Sequence, residues 1–138
     1  MFQNPDDREI KDLLTKNKTI AVVGLSDKPE RDSYRVAQYM QEKGYRIIPV
    51  NPRLKEVLGE KAYPDLTSLP GPVDIVNVFR RSEEVPGVVK DALAAKPAVI
   101  WLQLGVVNEE AALFAQSQGV QVVMDRCIKI EHARLLGS

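Results

Sequence analysis

Five short apolar runs punctuate this chain: Thr19–Gly24, Tyr45–Val50, Val73–Phe79, Ala98–Leu102 and Val120–Met124. Each is nearly continuous rather than alternating, as expected of strands covered on both faces. Between the runs the pattern changes to helical spacing. Ile10, Leu13 and Leu14 form one stripe of a helix over about 5–17, with Asn4 as its expected cap, Pro5 first in the helix and Asp6 and Asp7 in the first turn. Ser33 is the expected cap of a helix reaching Gly44, and Ser82 of one that turns Val85, Val88, Val89, Ala92 and Leu93 toward a core. Asn108 caps the next, with Glu109 and Glu110 at its positive end and Gly119 closing it. A short last helix is expected near Ile130–Leu136. Residues 52–72 hold four prolines and two glycines, which predicts a crossover with at most one helical turn near Leu58–Ala62.

Strands alternating with helices predict an α/β fold: a Rossmann-like, doubly wound, five-stranded parallel sheet with helices on both faces. One domain is expected, an N-terminal helix followed by a nucleotide-binding core over about 18–138. In such sheets a ligand lies beyond the strand C-termini, where the strand order reverses. That rule selects residues 24–33, 51–53, 78–82, 103–108 and 125–127.

Composition narrows the partners. Nineteen acidic and nineteen basic residues balance, so no global field favours nucleic acid or an anionic membrane, and anion binding must be local. A single cysteine excludes an internal disulfide. The first residues carry neither a basic nor an apolar leader, and no apolar run approaches the roughly 20 residues of a membrane span. A soluble, cytoplasmic protein is expected.

The loop from Gly24 to Ser33 follows the first strand and opens a helix, the place where backbone N–H groups meet a phosphate. It has one glycine rather than a G-x-G-x-x-G, with Ser26 and Ser33 as hydroxyl donors and Lys28, Arg31 and Arg35 as nearby cations. A solvated loop of mixed charge is the alternative. Asn51-Pro52-Arg53 ends the second strand, where an NAD site carries an acid. A guanidinium there suits a ribose bearing an extra phosphate, a group that NADP and coenzyme A share. The alternative is a proline-ended strand with a solvated arginine. Val78-Phe79-Arg80 offers an aromatic to flank a base and a cation to meet a phosphate, although Phe79 can equally just finish the core. Cys127, beside Arg126, is a candidate for a mixed disulfide with a ligand thiol; the alternative is a buried, inert cysteine. Trp101 reads as core, and His132 as a surface or helix-end residue without a catalytic role. No metal-ligand cluster or Ser–His–Asp set is evident.

Ile20-Ala21-Val22-Val23-Gly24-Leu25-Ser26, Val50-Asn51-Pro52, Val73-Asp74-Ile75-Val76, Trp101-Leu102-Gln103-Leu104-Gly105 and Asp125-Arg126-Cys127 together resemble the small free-standing CoA-binding domain proteins. These are similar in fold to the N-terminal nucleotide domain of the succinyl-CoA synthetase alpha subunit. The resemblance covers roughly residues 8–136 and implies coenzyme A held across the strand C-termini. It implies the loop of Gly24, Leu25 and Ser26 at the phosphates, and Asn51, Pro52, Arg53, Val78, Phe79 and Arg80 at the adenosine end, while Lys28, Arg31, Ser33 and Tyr34 are further expected cofactor-binding residues. Gln103, Leu104, Gly105, Arg126 and Cys127 then lie toward the pantetheine arm or a second ligand. The synthetase also needs a phosphorylated histidine from a second domain, and the only histidine here is His132, so its ligase reaction does not transfer.

The resulting expectation is a coenzyme A or acyl-CoA binding module, a carrier, sensor or partner rather than an enzyme. An NADP-binding oxidoreductase and a regulatory partner with a vestigial nucleotide site are the alternatives. A homodimer or a protein partner is compatible with either.

Overall fold

The computed structural model describes residues 1–137. Its elements run α1 (Asp7–Lys16), β1 (Thr19–Val23), α2 (Asp32–Glu42), β2 (Arg46–Val50), β3 (Glu56–Val57), β4 (Glu60–Lys61), β5 (Ile75–Val78), α3 (Val85–Ala94), β6 (Val99–Leu102), α4 (Glu109–Ser117), β7 (Gln121–Val123) and α5 (Ile128–Leu135). The five long strands are parallel, in the order β2-β1-β5-β6-β7. The expected five-stranded, Rossmann-like sheet is therefore found. One residue extends it: Tyr63 bridges Val50 in parallel, donating its N–H to the Pro49 carbonyl and accepting from Asn51 N–H. With Tyr63 counted, the order is that of a classical dinucleotide fold whose outermost strand has shrunk to a single residue.

Nearly every strand side chain is buried, because α1, α2 and α5 cover one face while α3 and α4 cover the other. Trp101 is fully buried, and its indole N–H donates to the Arg126 carbonyl at 2.8 Å, which fixes the turn after β7. Asp74 accepts from the N–H groups of Lys18 and Thr19, holding the entry of β1.

Several expected caps move. Asp6, not Asn4, caps α1, forming a reciprocal box with Glu9. Asn4 instead clamps the Met124 backbone with both ends of its amide. Arg31 occupies the N-cap of α2, and Ser33 lies inside the first turn. Ser82 starts a 3-10 turn (Ser82–Glu84) ahead of α3, and its hydroxyl accepts from Val107 N–H. Only Asn108 caps as expected, accepting from Ala111 N–H. The helical turn expected at Leu58–Ala62 is a β-hairpin. Leu58 and Gly59 both take positive φ, as a two-residue hairpin turn requires, and a 3-10 turn follows at Leu66–Ser68. The last helix begins at Ile128, two residues early.

His132 is buried at 7 % exposure, not on the surface. It meets the Tyr39 hydroxyl at 3.0 Å and packs edge-to-face on Tyr39 and Tyr45. Burial, then the charges of Lys43 and Lys18, hold its imidazole below the ordinary histidine value. The folded state thus takes up a proton less readily than the unfolded chain does. Stability is full above the unfolded value near 6.5 and declines as pH falls from there toward the lower folded value. Melting temperature is expected to drop between pH 7 and 5, and His132→Gln to flatten that part of the profile. An unchanged slope in the variant removes His132 as the cause.

Candidate functional site

The strand order reverses between β1 and β5, and the candidate site is built there. Gly24 leaves β1 with φ +86, its N–H bound to the Val50 carbonyl. A Cβ on Gly24 would stand 2.3 Å from the Phe79 carbonyl oxygen, so β5 approaches the turn as closely as bare backbone allows. Behind the turn, Ser33 accepts from Ser26 N–H at 3.0 Å, and the Ser26 hydroxyl accepts from Lys28 N–H at 3.1 Å. Asn51 ties the second strand end to the same turn. Its Nδ2 donates to the Leu25 carbonyl while its Oδ1 accepts from Arg53 N–H. Gly24, Leu25, Ser26, Ser33, Asn51 and Arg53 therefore form one hydrogen-bonded assembly. α2 starts from it with no side chain capping its N-terminus.

Two cavities flank the switch point on opposite faces of the sheet. Phe79 lines one and Arg80 the other, as consecutive residues of an extended chain point oppositely. On the α3 face, Val23, Val50, Pro52, Leu66 and Val88 enclose about 190 Å³, with Arg80, Asp65 and Asp91 as the charged groups. On the α2–α5 face, Val36, Phe79, Gln103, Leu104, Cys127 and Ile130 surround about 340 Å³. Leu104 and Ile130, at 62 % and 55 % exposure, form an apolar rim. Asp32, Arg35 and Lys129 complete the wall.

The candidate cations divide sharply. Arg80 bonds Glu84 at 2.7 Å and holds that carboxyl below its usual range. Arg35 is taken by Asp32 and the Glu30 carbonyl. Arg126 turns from the cavity to the buried Glu131, at 2.8 Å. That carboxylate, also bound by Arg134, stays well below the usual range. Arg134 reaches on to Asp7, so the network pins α5 to α1. Among the described residues, no carboxylate pairs with Lys28, Arg31 or Arg53.

The Gln103–Gly105 segment is held from below. Gly105, at φ +85, donates its N–H to Asp125 at 2.7 Å, and Asp125 itself has φ +62. Tyr34 is partly buried and packs on the α1–α2 face, beside the loop rather than in either cavity. Val78 is wholly buried and only positions Phe79 and Arg80. The sequence reading missed Asp65, Asp91, Lys129 and Ile130. Asp65 was findable as the cap of the 3-10 turn, since it accepts from Ser68 N–H and the Thr67 hydroxyl. Asp91 and Ile130 come from helices that carry no local motif, and only the packing brings them in.

Comparison with known proteins fits this geometry. A Bacillus subtilis protein, YneT, is 53 % identical over 132 residues, spanning 96 % of this chain and 98 % of that one. The structure of a hypothetical protein from Pyrococcus horikoshii superposes with a TM-score of 0.93 at 38 % identity, covering 99 % of both chains. The alpha subunit of the ADP-forming acetate–CoA ligase II of Pyrococcus furiosus is 38 % identical over 65 residues, 46 % of this chain and 14 % of that subunit. The kinship with ligase subunits is thus found, with acetate–CoA ligases. No described helix is long and apolar enough to cross a membrane. The family model of the CoA binding domain matches residues 18–133, and the chain belongs to that family.

Proposed function

We propose that this chain binds coenzyme A or an acyl-CoA across the C-terminal ends of its strands, as a non-catalytic carrier, sensor or partner module. The observation that carries this reading is the uncapped N-terminus of α2 behind the Gly24–Ser26 turn, with Lys28 and Arg31 in the loop that leads to it, Arg53 joined to the turn through Asn51, and no carboxylate paired with any of the three among the described residues. Orphan N–H groups and the helix dipole favour an anion at that place. The pyrophosphate sits there, with Lys28 and Arg31 beside it. Arg53 takes the ribose phosphate at the end of β2. The adenosine occupies the cavity on the α3 face, where Asp65 and Asp91 accept hydrogen bonds from hydroxyl or amino groups and Pro52, Leu66 and Val88 supply apolar walls. The pantetheine arm runs over β5 and β6 into the cavity lined by Gln103, Leu104 and Cys127. Arg80 and Arg126, spent on Glu84 and Glu131, serve as walls and props rather than as phosphate ligands.

The larger cavity holds one thiol, Cys127, and the carboxylate of Asp32, which is bonded to Arg35. His132 lies in neither cavity, being buried with Tyr39 and Tyr45. A binding role follows more directly than catalysis.

Thermal unfolding with coenzyme A, dephospho-CoA, NADP and NAD tests the reading. A ligand of the native state raises stability by RT ln(1 + [L]/Kd). Coenzyme A is expected to give the largest rise in melting temperature, and dephospho-CoA a smaller one. A rise with NADP alone assigns the site to a nicotinamide nucleotide instead, and no rise with any of them removes the proposal.

A further inference from the structure

The larger cavity holds a group that its own surroundings leave unfinished. Gln103 is buried to 6 % exposure, yet only its carbonyl oxygen is used. Oε1 accepts from Asn77 Nδ2 at 3.1 Å and from Ile128 N–H at 3.3 Å. A backbone N–H can only donate, so the amide cannot be turned the other way. Nε2 has no protein partner, and because no buried side-chain nitrogen or oxygen among the described residues is left unpaired, it is the accessible end of a residue that lines the cavity. Cys127 lies next along the wall, at the N-cap of α5, one residue before the N–H that Gln103 binds. The Cys127 side chain makes no capping bond to the helix, whose first N–H is taken by Gln103. Lining the cavity and partly exposed, its thiol is within reach of a ligand.

Reach supports the same ligand end. From β1, where the phosphates are placed, to β7, which leads into Cys127, is three strand spacings, about 14 Å. An extended pantetheine arm, two amides long, covers about 15 Å by ordinary backbone dimensions. An arm of that length, started from the proposed phosphate site, is long enough to bring its thiol end to Cys127 and its last amide level with Gln103.

We infer that Cys127 is a thiol–disulfide exchange site selective for disulfides of coenzyme A. The inference rests on the binding mode proposed above. The Cys127 thiolate attacks the coenzyme-A-side sulfur of a CoA–S–S–R disulfide. The Cys127–S–S–CoA bond forms, the old S–S bond breaks, and R–S⁻ leaves to take the proton that Cys127 released. No external oxidant is consumed. Gln103 acts as a positioning residue that holds the distal amide while the two sulfurs align.

Intact-mass measurement tests this, because any thiol adduct must lie on the single cysteine. The protein is incubated with coenzyme A disulfide and, separately, with cystamine at equal concentration. Coenzyme A disulfide is expected to add one coenzyme A, reversibly by dithiothreitol, at least about tenfold faster than cystamine reacts. Gln103→Leu is expected to erase about tenfold of that preference, the worth of one hydrogen bond, read as the ratio of the two rates so that any change common to both disulfides cancels. Equal rates for the two disulfides in the native protein overturn the inference, as does no adduct in a protein that coenzyme A still stabilises. Absence of both adduct and stabilisation overturns the binding reading as well. The comparison of disulfides on the native protein decides the matter even where the Gln103 variant does not fold.

Discussion

Alanine at position 24 is expected to cost about 3 kcal/mol or more of stability and to abolish stabilisation by coenzyme A. Two costs combine. The residue sits at φ +86, where a side chain costs about 1–2 kcal/mol. Its Cβ would also stand 2.3 Å from the Phe79 carbonyl oxygen and 3.2 Å from Arg80 Cδ. The backbone has little room to yield, because Gly24 N–H bonds the Val50 carbonyl and Phe79 N–H bonds the Val23 carbonyl, both at 2.9 Å. Relief must come from parting β1 and β5, which moves the phosphate turn and shifts the walls of both cavities. Gly105→Ala is the control. It has φ +85 but nothing within 4 Å of the added carbon, so about 1–2 kcal/mol of strain is all it should show. Urea unfolding of the two variants separates close approach from backbone strain. Equal losses would mean that the close approach has no energetic role. At roughly 3–4 °C per kcal/mol for a chain of this size, the difference is also visible as melting temperature.

Position 24 shows what the sequence displays and what it conceals. A glycine at the end of an apolar run, followed by a polar loop, marks the turn without any further knowledge. The five strands were legible for the same reason: burial on both faces leaves long apolar runs that no helix period explains. Boundaries and caps were less so. Asn4, Ser33 and Ser82 have the right chemistry to cap a helix, but each bonds elsewhere instead, Asn4 and Ser82 to the distant Met124 and Val107 and Ser33 back across its own loop to Ser26. Local rules cannot see a partner far along the chain. His132 lies in the last turn of α5, as the helix-end expectation had it, but its burial was hidden on the same account: Glu131 beside it suggested solvent while Tyr39 and Tyr45 enclose it.

The cations carry the sharpest lesson for the site. Lys28, Arg31, Arg53, Arg80 and Arg126 are alike in sequence as positive charges at strand ends. Packing distributes them unequally. Glu84 lies one helical turn beyond Arg80 and takes it, and Glu131 is buried by α5 so that it must take Arg126 and Arg134. A buried carboxylate left unpaired would be costly, so Arg126 is committed to the fold before any ligand arrives. Among the described residues, the cations that line or flank the site without a carboxylate partner are then Lys28 and Arg31 at the first turn, Arg53 at the end of β2 and Lys129 in the wall of the larger cavity.

Arg53→Glu is accordingly expected to weaken coenzyme A binding by about thirtyfold to a hundredfold. The variant removes the charge-assisted bonds of an arginine to a phosphate and adds a repelled carboxylate in their place. Because the side chain is exposed, the loss should be greatest at low salt and shrink as ionic strength rises. The same substitution should scarcely change the affinity for dephospho-CoA, which lacks the ribose phosphate that Arg53 is proposed to hold. Stability without ligand should also hold, since the fold uses only the Arg53 backbone N–H, bound to Asn51. Titration of both ligands against both proteins therefore yields a coupling between one guanidinium and one phosphate. A loss of equal size for the two ligands would place the ribose phosphate elsewhere, whereas no loss for either would detach the end of β2 from the site.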